Sequence, residues 1–391
     1  MTRAGLVALL PVAIGVFAQG GYSAAARVAF GVVAVCAGAL AIRRGPWREP
    51  VVLVLVALAA LGALSALWTL GPVDRTLRWA LVCAGYAGVV VAAGAVARRR
   101  GGVELLAGAV ALIAFGAGLA GLIAAALQLA PYAEQIAGVW RPGGPFEYPP
   151  ALALLEVSAL PPLLAAAGAR SRLVAGAGLA GLVVAGGVLV LAASRLSLAM
   201  AIVVVGLWLA ARTRVRLRVA APLVLVAALL AGALAFGLSA GQGVGPASDF
   251  LHGRGSTWGA ALHTFADRPL AGAGADAFLA GSARHQGGPT ILFAHDLPLE
   301  LAAELGVAGF GLAIALYGTA ALALWRARRT RAAVLLGPAA AAFLVASLID
   351  WPWHLAGSGA IWALSIGALT GHRARAEKCS SPSPDGLQGD A

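Results

Sequence analysis

Apolar runs of 15–28 residues follow one another along almost the whole chain, each separated from the next by a short polar stretch. They cover about 4–18, 24–42, 51–68, 78–97, 103–130, 148–168, 173–193, 196–211, 219–240, 297–324, 332–349 and 354–370. A helix needs about 20 apolar residues to cross the hydrocarbon core of a bilayer, with a range near 17–25. The pattern therefore predicts an all-α, polytopic transmembrane helix bundle of about 12 spans. The first run is short and has the outline of a signal peptide, but no small-x-small cleavage site precedes the second, so it is read as a helix. One long polar interruption, 241–296, alternates Gly, His, Asp and Arg with apolar anchors such as Trp258, Leu262 and Phe265. It predicts an external loop of short amphipathic helices, of a length usually associated with function. The expected division is a transmembrane domain over 1–375, carrying this external loop, and a disordered cytoplasmic tail over 376–391.

Composition points the same way. Hydrophobic residues make up 61% of the 391, charged residues 11%, and the mean hydropathy is +0.89. A soluble domain carries roughly 45–50% apolar and about 25% charged residues, so lipid must cover much of this surface. The formal net charge is +12. Nucleic acid is not implied, because the basic residues fall in clusters between apolar runs, the mark of cytoplasmic loops. With the N-terminus inside, 20 of the 28 lie on the cytoplasmic side: Arg3, Arg43, Arg44, Arg48, Arg98, Arg99, Arg100, Arg170, Arg172, Arg212, Arg214, Arg216, Arg218, Arg326, Arg328, Arg329, Arg331, Arg373, Arg375 and Lys378. Arg27, Arg75, Arg78, Arg141, Arg195, Arg254, Arg268 and Arg284 lie outside. An odd number of spans would scramble this asymmetry, so both termini are expected in the cytoplasm. The wealth of Ala, Gly and Arg against a single Lys is typical of GC-rich bacterial coding, which places the chain in a bacterial inner or plasma membrane. Cys36, Cys83 and Cys379 have no reason to meet, so neither a disulfide framework nor a thiolate metal site is indicated.

Charges that topology does not need are the informative ones. Arg195 sits in Ala193-Ser194-Arg195-Leu196-Ser197, a tight external turn. A lone arginine near bilayer depth either finds an anionic partner or snorkels to the headgroups. Arg254 lies among glycines in His252-Gly253-Arg254-Gly255-Ser256-Thr257-Trp258, a turn suited to phosphate oxygens, the bland alternative being a solvated loop arginine. His295 opens the tenth run in Phe293-Ala294-His295-Asp296-Leu297-Pro298-Leu299-Glu300. It is placed to accept a proton, with Asp296, Glu300 and Glu304 near enough to orient it. The competing reading is an interfacial histidine beside acids that cap a helix. His252, His263, His285 and His354 are also external and fit no zinc spacing. Trp351 and Trp353 read as an aromatic belt, and Gly272-Ala273-Gly274 as a turn rather than a dinucleotide loop.

In order, five stretches resemble the O-antigen ligase and polymerase superfamily of membrane glycosyltransferases. Leu64-Ser65-Ala66-Leu67-Trp68 looks like its Ser-x-x-Trp helix end, and 141–150, from Arg141 to Pro150, like its Arg-x-x-Gly-x-Phe-x-Asn-Pro-Asn loop. Ser194-Arg195 is similar to its Ser-Arg, and Gly253-Arg254 through Gly274 to its long external loop. His295-Asp296-Leu297-Pro298-Leu299-Glu300 through Gly309 is similar to His-Asn-x-x-Leu followed by Glu-x-Gly-x-x-Gly. Tyr148 and Pro150 stand where the family has asparagines, as does Asp296.

The resemblance implies transfer of a glycan from a polyprenyl-pyrophosphate carrier to an acceptor hydroxyl on glycan, lipid or protein. It implies no cofactor and no metal. His295 would be the general base and Arg195 and Arg254 would bind the pyrophosphate; Arg141, Asp296, Glu300 and Glu304 complete the expected substrate site. A polymerase of the same superfamily and a flippase of a lipid-linked glycan remain as rivals, the latter expected to show broken helices and buried charges near the midplane. Glu156, inside the sixth run, is a partial match to that pattern. A peptidoglycan polymerase would instead centre on an external acid.

Overall fold

A computed structural model describes residues 3–212, 254–287 and 290–380. Eleven of the twelve apolar runs are helices, since in lipid the backbone must satisfy its own hydrogen bonds; the run at 219–240 lies outside the described residues. They are α1 (Arg3–Phe17), α2 (Ala24–Ala41), α3 (Pro50–Ser65), α4 (Val73–Ala97), α5 (Gly102–Ala126), α6 (Pro149–Ala167), α7 (Arg172–Leu191), α8 (Arg195–Arg212), and then, past the long polar segment, α11 (Leu297–Ala327), α12 (Arg331–Ala346) and α13 (Ala356–Ser380). Between them lie α9 (Arg254–Asp267) and α10 (Phe278–Ser282), the short helices expected outside.

Seven of these helices are long and apolar enough to cross a membrane: α2, α3 with its following turn, α4, α5, α6, α7 and α11. Shorter apolar helices are α1, α8 and α12. Helix starts follow local signals: Ser23, Ser171 and Thr330 accept from the backbone N–H three residues on, and prolines open α3 and α6. Helix α4 begins at Val73, ahead of its apolar run, and an i,i+4 ion pair between Asp74 and Arg78 at 2.5 Å supports that extra turn.

Helices α4 and α13 form the centre and α2, α3, α12 and α1 surround them. Close packing there rests on small residues. A Cβ on Gly38 of α2 would stand 2.5 Å from the Cα of Gly88 in α4. Tyr86 of α4 is fully buried, and its hydroxyl donates to the carbonyl of Trp353 at 2.9 Å. Peripheral helices such as α7 instead expose Leu179, Val183 and Val190, an apolar surface suited to lipid.

Three departures from the sequence reading are structural. A hairpin interrupts the all-helical pattern: β1 (Ala133–Ile136) pairs antiparallel with β2 (Val139–Pro142), and its turn residues Ala137 and Gly138 both have positive φ, 51° and 79°. Helix α13 continues to Ser380, so 376–380 are helical where a disordered tail was expected; 381–391 lie outside the described residues. The third is a break inside α11. Gly306 has φ 65° and ψ −156°, a region open to glycine alone. The break frees backbone groups, and the segment after α9 takes them up. Ala273 N–H donates to Ala303 O at 3.0 Å, Gly274 N–H to Glu304 O at 2.7 Å, and Val307 N–H to Pro269 O at 2.8 Å.

Candidate functional site

The segment 269–278 is held on both sides. From the end of α3, the Trp68 indole N–H donates to Ala271 O at 2.8 Å, and the Ser65 hydroxyl accepts from Ala275 N–H at 3.0 Å. Leu70 N–H donates to Ala273 O at 2.7 Å. From α11, Glu304 accepts from Asp276 N–H and Phe278 N–H, both at 2.9 Å. Thus the Ser-x-x-Trp and Gly-Ala-Gly stretches, 200 residues apart in the chain, build one structure. It fixes Asp276 in the left-handed region, φ 55°, with its carboxylate facing two arginines. Arg27 Nη1 lies 2.6 Å from Oδ2, and Arg75 reaches both oxygens, Nε to Oδ2 at 3.0 Å and Nη2 to Oδ1 at 3.1 Å. Burial alone would push the Asp276 carboxyl up; Arg27, His354 and Arg75 outweigh it and hold it below its ordinary range.

His295 lies half-buried just ahead of α11, with φ 57°. Left-handed non-glycine residues are uncommon and concentrate where function demands them. Its Nδ1 is 3.0 Å from the carbonyl oxygen of Phe293, which can only accept. In the neutral ring the proton therefore sits on Nδ1, which leaves the lone pair on Nε2. Asp296, next in the chain, is the N-cap of α11 and accepts from Leu299 N–H at 2.8 Å. Glu300 is buried; one oxygen accepts from Ala294 N–H at 2.7 Å and the other from Nε2 of His354. The His354 ring stacks on Phe293 with centroids 3.9 Å apart, and its Nδ1 stands 3.5 Å from Asp276 Oδ1 without the alignment of a hydrogen bond.

Beside His295 is an acid that the sequence reading passed over. Asp350, between α12 and α13, accepts from the Tyr148 hydroxyl at 3.0 and 3.2 Å and from Trp351 N–H at 2.9 Å. Burial raises its carboxyl above the ordinary range, and the hydrogen bond from Trp351 N–H and the charge of Arg254 pull it part of the way back. Burial, and then Asp350, push the Tyr148 phenol upward, so it stays a donor. Arg254 opens α9, and its Nε is buried without a partner among the described residues. Tyr148, Trp351 and Phe293 form an aromatic floor, with centroid separations of 4.7 Å and 5.2 Å.

Of the residues expected in the site, His295 and Arg254 both lie within electrostatic reach of Asp350. Arg195 opens α8, directly after Ala193, a left-handed residue at φ 50°, and the cap Ser194, whose hydroxyl accepts from Ser197 N–H at 3.3 Å. Helix α8 packs on α6 and α12, the helices next to Tyr148 and Asp350. Arg141 is half-buried in β2, opposite Glu134. Asp296 caps a helix, and both oxygens of Glu300 and of Glu304 are engaged by this chain's own backbone and by His354. These bonds tie the start of α11 to the 269–278 segment and to Ala294.

His354 is buried, at 4% exposed. Trp353, 2% exposed, is a core residue packed near Tyr86 and not part of an aromatic belt. His263 stacks on His285, which binds Asp267 at 2.6 Å, while His252 lies outside the described residues. Asp350 could have been found as an acid at the same end of the bundle as His295. Arg27 and Arg75 carried no signal beyond being external arginines.

Residues 180–314 match the family model described as O-Antigen ligase. That stretch holds Arg195, Arg254 and His295, and the match agrees with the resemblance read from the motifs. No curated protein matches the chain. The matched stretch and the seven helices long and apolar enough to cross a membrane agree with a multi-pass membrane protein.

Proposed function

With an O-antigen ligase segment at its centre, we propose that this chain transfers a glycan from a polyprenyl-pyrophosphate carrier to an acceptor hydroxyl at the external membrane face. The observation that carries the reading is His295, whose Nδ1 is taken up by Phe293 O, so that the neutral ring keeps its lone pair on Nε2, within electrostatic reach of Asp350. In the reaction the acceptor oxygen attacks the anomeric carbon and its proton passes to Nε2. The bond from that carbon to the pyrophosphate oxygen breaks, and the carrier leaves as polyprenyl pyrophosphate. Asp350 would stabilise the imidazolium as it forms, the role a buried carboxylate plays beside other histidine bases.

Arg195 and Arg254 would receive the charge that develops on the leaving group. Each opens a helix, where the macrodipole disfavours a cation by about 0.3–1 kcal/mol. An anion bound there reverses that penalty, since arginine and helix N-terminus then act together. The aromatic floor of Tyr148, Trp351 and Phe293 suits the C–H face of a sugar. Twelve spans, with both termini in the cytoplasm of a bacterial inner membrane, complete the reading and put the site outside. A ligase and a polymerase share this chemistry and differ in the acceptor.

A flippase reading drew on broken helices and buried charge, and α11 has a break. It comes after nine residues, about 13 Å of helix. The backbone groups it frees are taken by 269–274 of the same chain, which favours a sealed joint over a transport cavity. Reconstitution tests the proposal: purified protein in vesicles, supplied with a polyprenyl-pyrophosphate-linked glycan and an acceptor, should yield glycosylated acceptor and free polyprenyl pyrophosphate in equal amounts. Movement of donor across the bilayer with no bond broken would replace the enzyme with a flippase.

A further inference from the structure

The base proposed above depends on one backbone carbonyl, and a separate group of buried side chains holds that carbonyl in place. His295 owes its tautomer to Phe293 O, 3.0 Å from Nδ1. Phe293 and Ala294 are not part of a helix or strand, so nothing in regular secondary structure holds this carbonyl. Glu300, one turn into α11, accepts from Ala294 N–H at 2.7 Å. His354, from the segment before α13, covers the Phe293 ring at 3.9 Å and donates to the other oxygen of Glu300. His354 in turn faces Asp276, itself fixed by Arg27 and Arg75.

We infer that Glu300 and His354 are positioning residues, a clamp that seats Phe293-Ala294 so that His295 holds its proton on Nδ1 and presents Nε2. Neither need touch substrate: both are buried, at 3% and 4% exposed. The clamp also explains how a left-handed histidine is maintained, because strain of this kind persists only when the surroundings over-determine it. Its role rests on the reading of His295 as base, but its structural effect on the tautomer does not.

The test uses the full chain in nanodiscs, with ¹⁵N-labelled histidine side chains and the His295 signals assigned by their loss in His295→Gln. Wild type should show Nδ1 protonated and Nε2 bare. Glu300→Ala should give His295 a mixture of tautomers and lower kcat about 10²-fold, the cost of misplacing a catalytic group by about 1 Å, with KM for the lipid-linked donor nearly unchanged. Glu300→Gln, which still offers an oxygen to Ala294 N–H, should recover most of both. His354→Phe should keep the stacking and lose the link to Glu300, giving an intermediate result. If Glu300→Ala does not fold, His354→Phe against Glu300→Gln carries the same comparison. A pure Nδ1–H signal with unchanged kcat in Glu300→Ala and in His354→Phe overturns the clamp. Full activity in His295→Gln, with the tautomer still dependent on Glu300, would instead remove the base and leave the clamp standing.

Discussion

Replacing Gly306 by alanine adds one methyl group at the point where α11 breaks. At φ 65° and ψ −156° an L side chain is strained by about 1–3 kcal/mol whatever the space around it. There is also no space: the new Cβ would lie 2.4 Å from Leu270 O, 2.6 Å from the Leu270 carbonyl carbon and 2.6 Å from Pro269 O. All three are backbone, so the segment 269–274 must move away. That movement puts at risk three hydrogen bonds, from Val307 N–H, Ala273 N–H and Gly274 N–H, each worth about 0.5–1.5 kcal/mol net. Gly311, five residues on in the same helix, has nothing within 4 Å of its would-be Cβ and serves as the control. Thermal unfolding in detergent should show Gly306→Ala clearly destabilised, with transfer activity lost as Asp276 and its arginines shift. Gly311→Ala should melt at or slightly above wild type, because alanine favours a helix over glycine by about 1 kcal/mol. Equal melting of the two variants would refute the joint between α11 and the 269–274 segment.

Asp276 makes a pH-dependent contribution: its carboxyl is held below the ordinary value of 3.8 in the folded protein, so the ion pairs stabilise fully above that value and fade as pH falls through the lower one. Asp276→Asn should therefore melt well below wild type at neutral pH, by about 3–5 kcal/mol for a broken buried pair, and the gap should close below pH 3.8; a gap independent of pH contradicts the pairing. Arg195→Lys and Arg254→Lys keep the charge and lose the planar fork, so both should insert normally and lose most transfer activity. Near-normal turnover by either variant would return that arginine to the lipid headgroups or to a solvated loop. Reporters fused after Arg100, Arg218 and Arg331 should read cytoplasm and one within 241–290 should read exterior, following the 20-to-8 split of basic residues. A cytoplasmic signal from the last fusion would reverse the orientation.

The helices were legible because each apolar run carries its own reason to be helical, and caps such as Ser23 and Thr330 lie just ahead of the run they start. The break at Gly306 was not. Glu304 to Ala308 reads as uninterrupted helix, and what breaks it are hydrogen-bonding partners at 269–274, supplied from thirty or more residues away. The hairpin escaped notice because Ala137-Gly138 is a weak turn signal and its strands are four residues each. His295 and Arg254 were readable from local motifs. Asp350 was not, since its tyrosine partner is 202 residues distant. Trp353 was misread for a related reason: Trp-Pro-Trp suggests an interface, and only the packing around α4 and α13 buries Trp353 and, next to it, His354.

The central claim is that His295 takes the acceptor's proton, and its own substitution tests that most directly. A general base contributes about 10²–10⁴-fold in rate, so His295→Ala should slow transfer by that order while binding of the lipid-linked donor is largely preserved. His295→Asn, which can hydrogen-bond but cannot accept the proton, should be nearly as slow. His263 and His285, paired with each other and with Asp267, are the histidine controls and should tolerate substitution. Wild-type turnover by His295→Asn would contradict the account, and a reduced rate traced to lost donor binding would assign His295 to recognition instead of proton transfer.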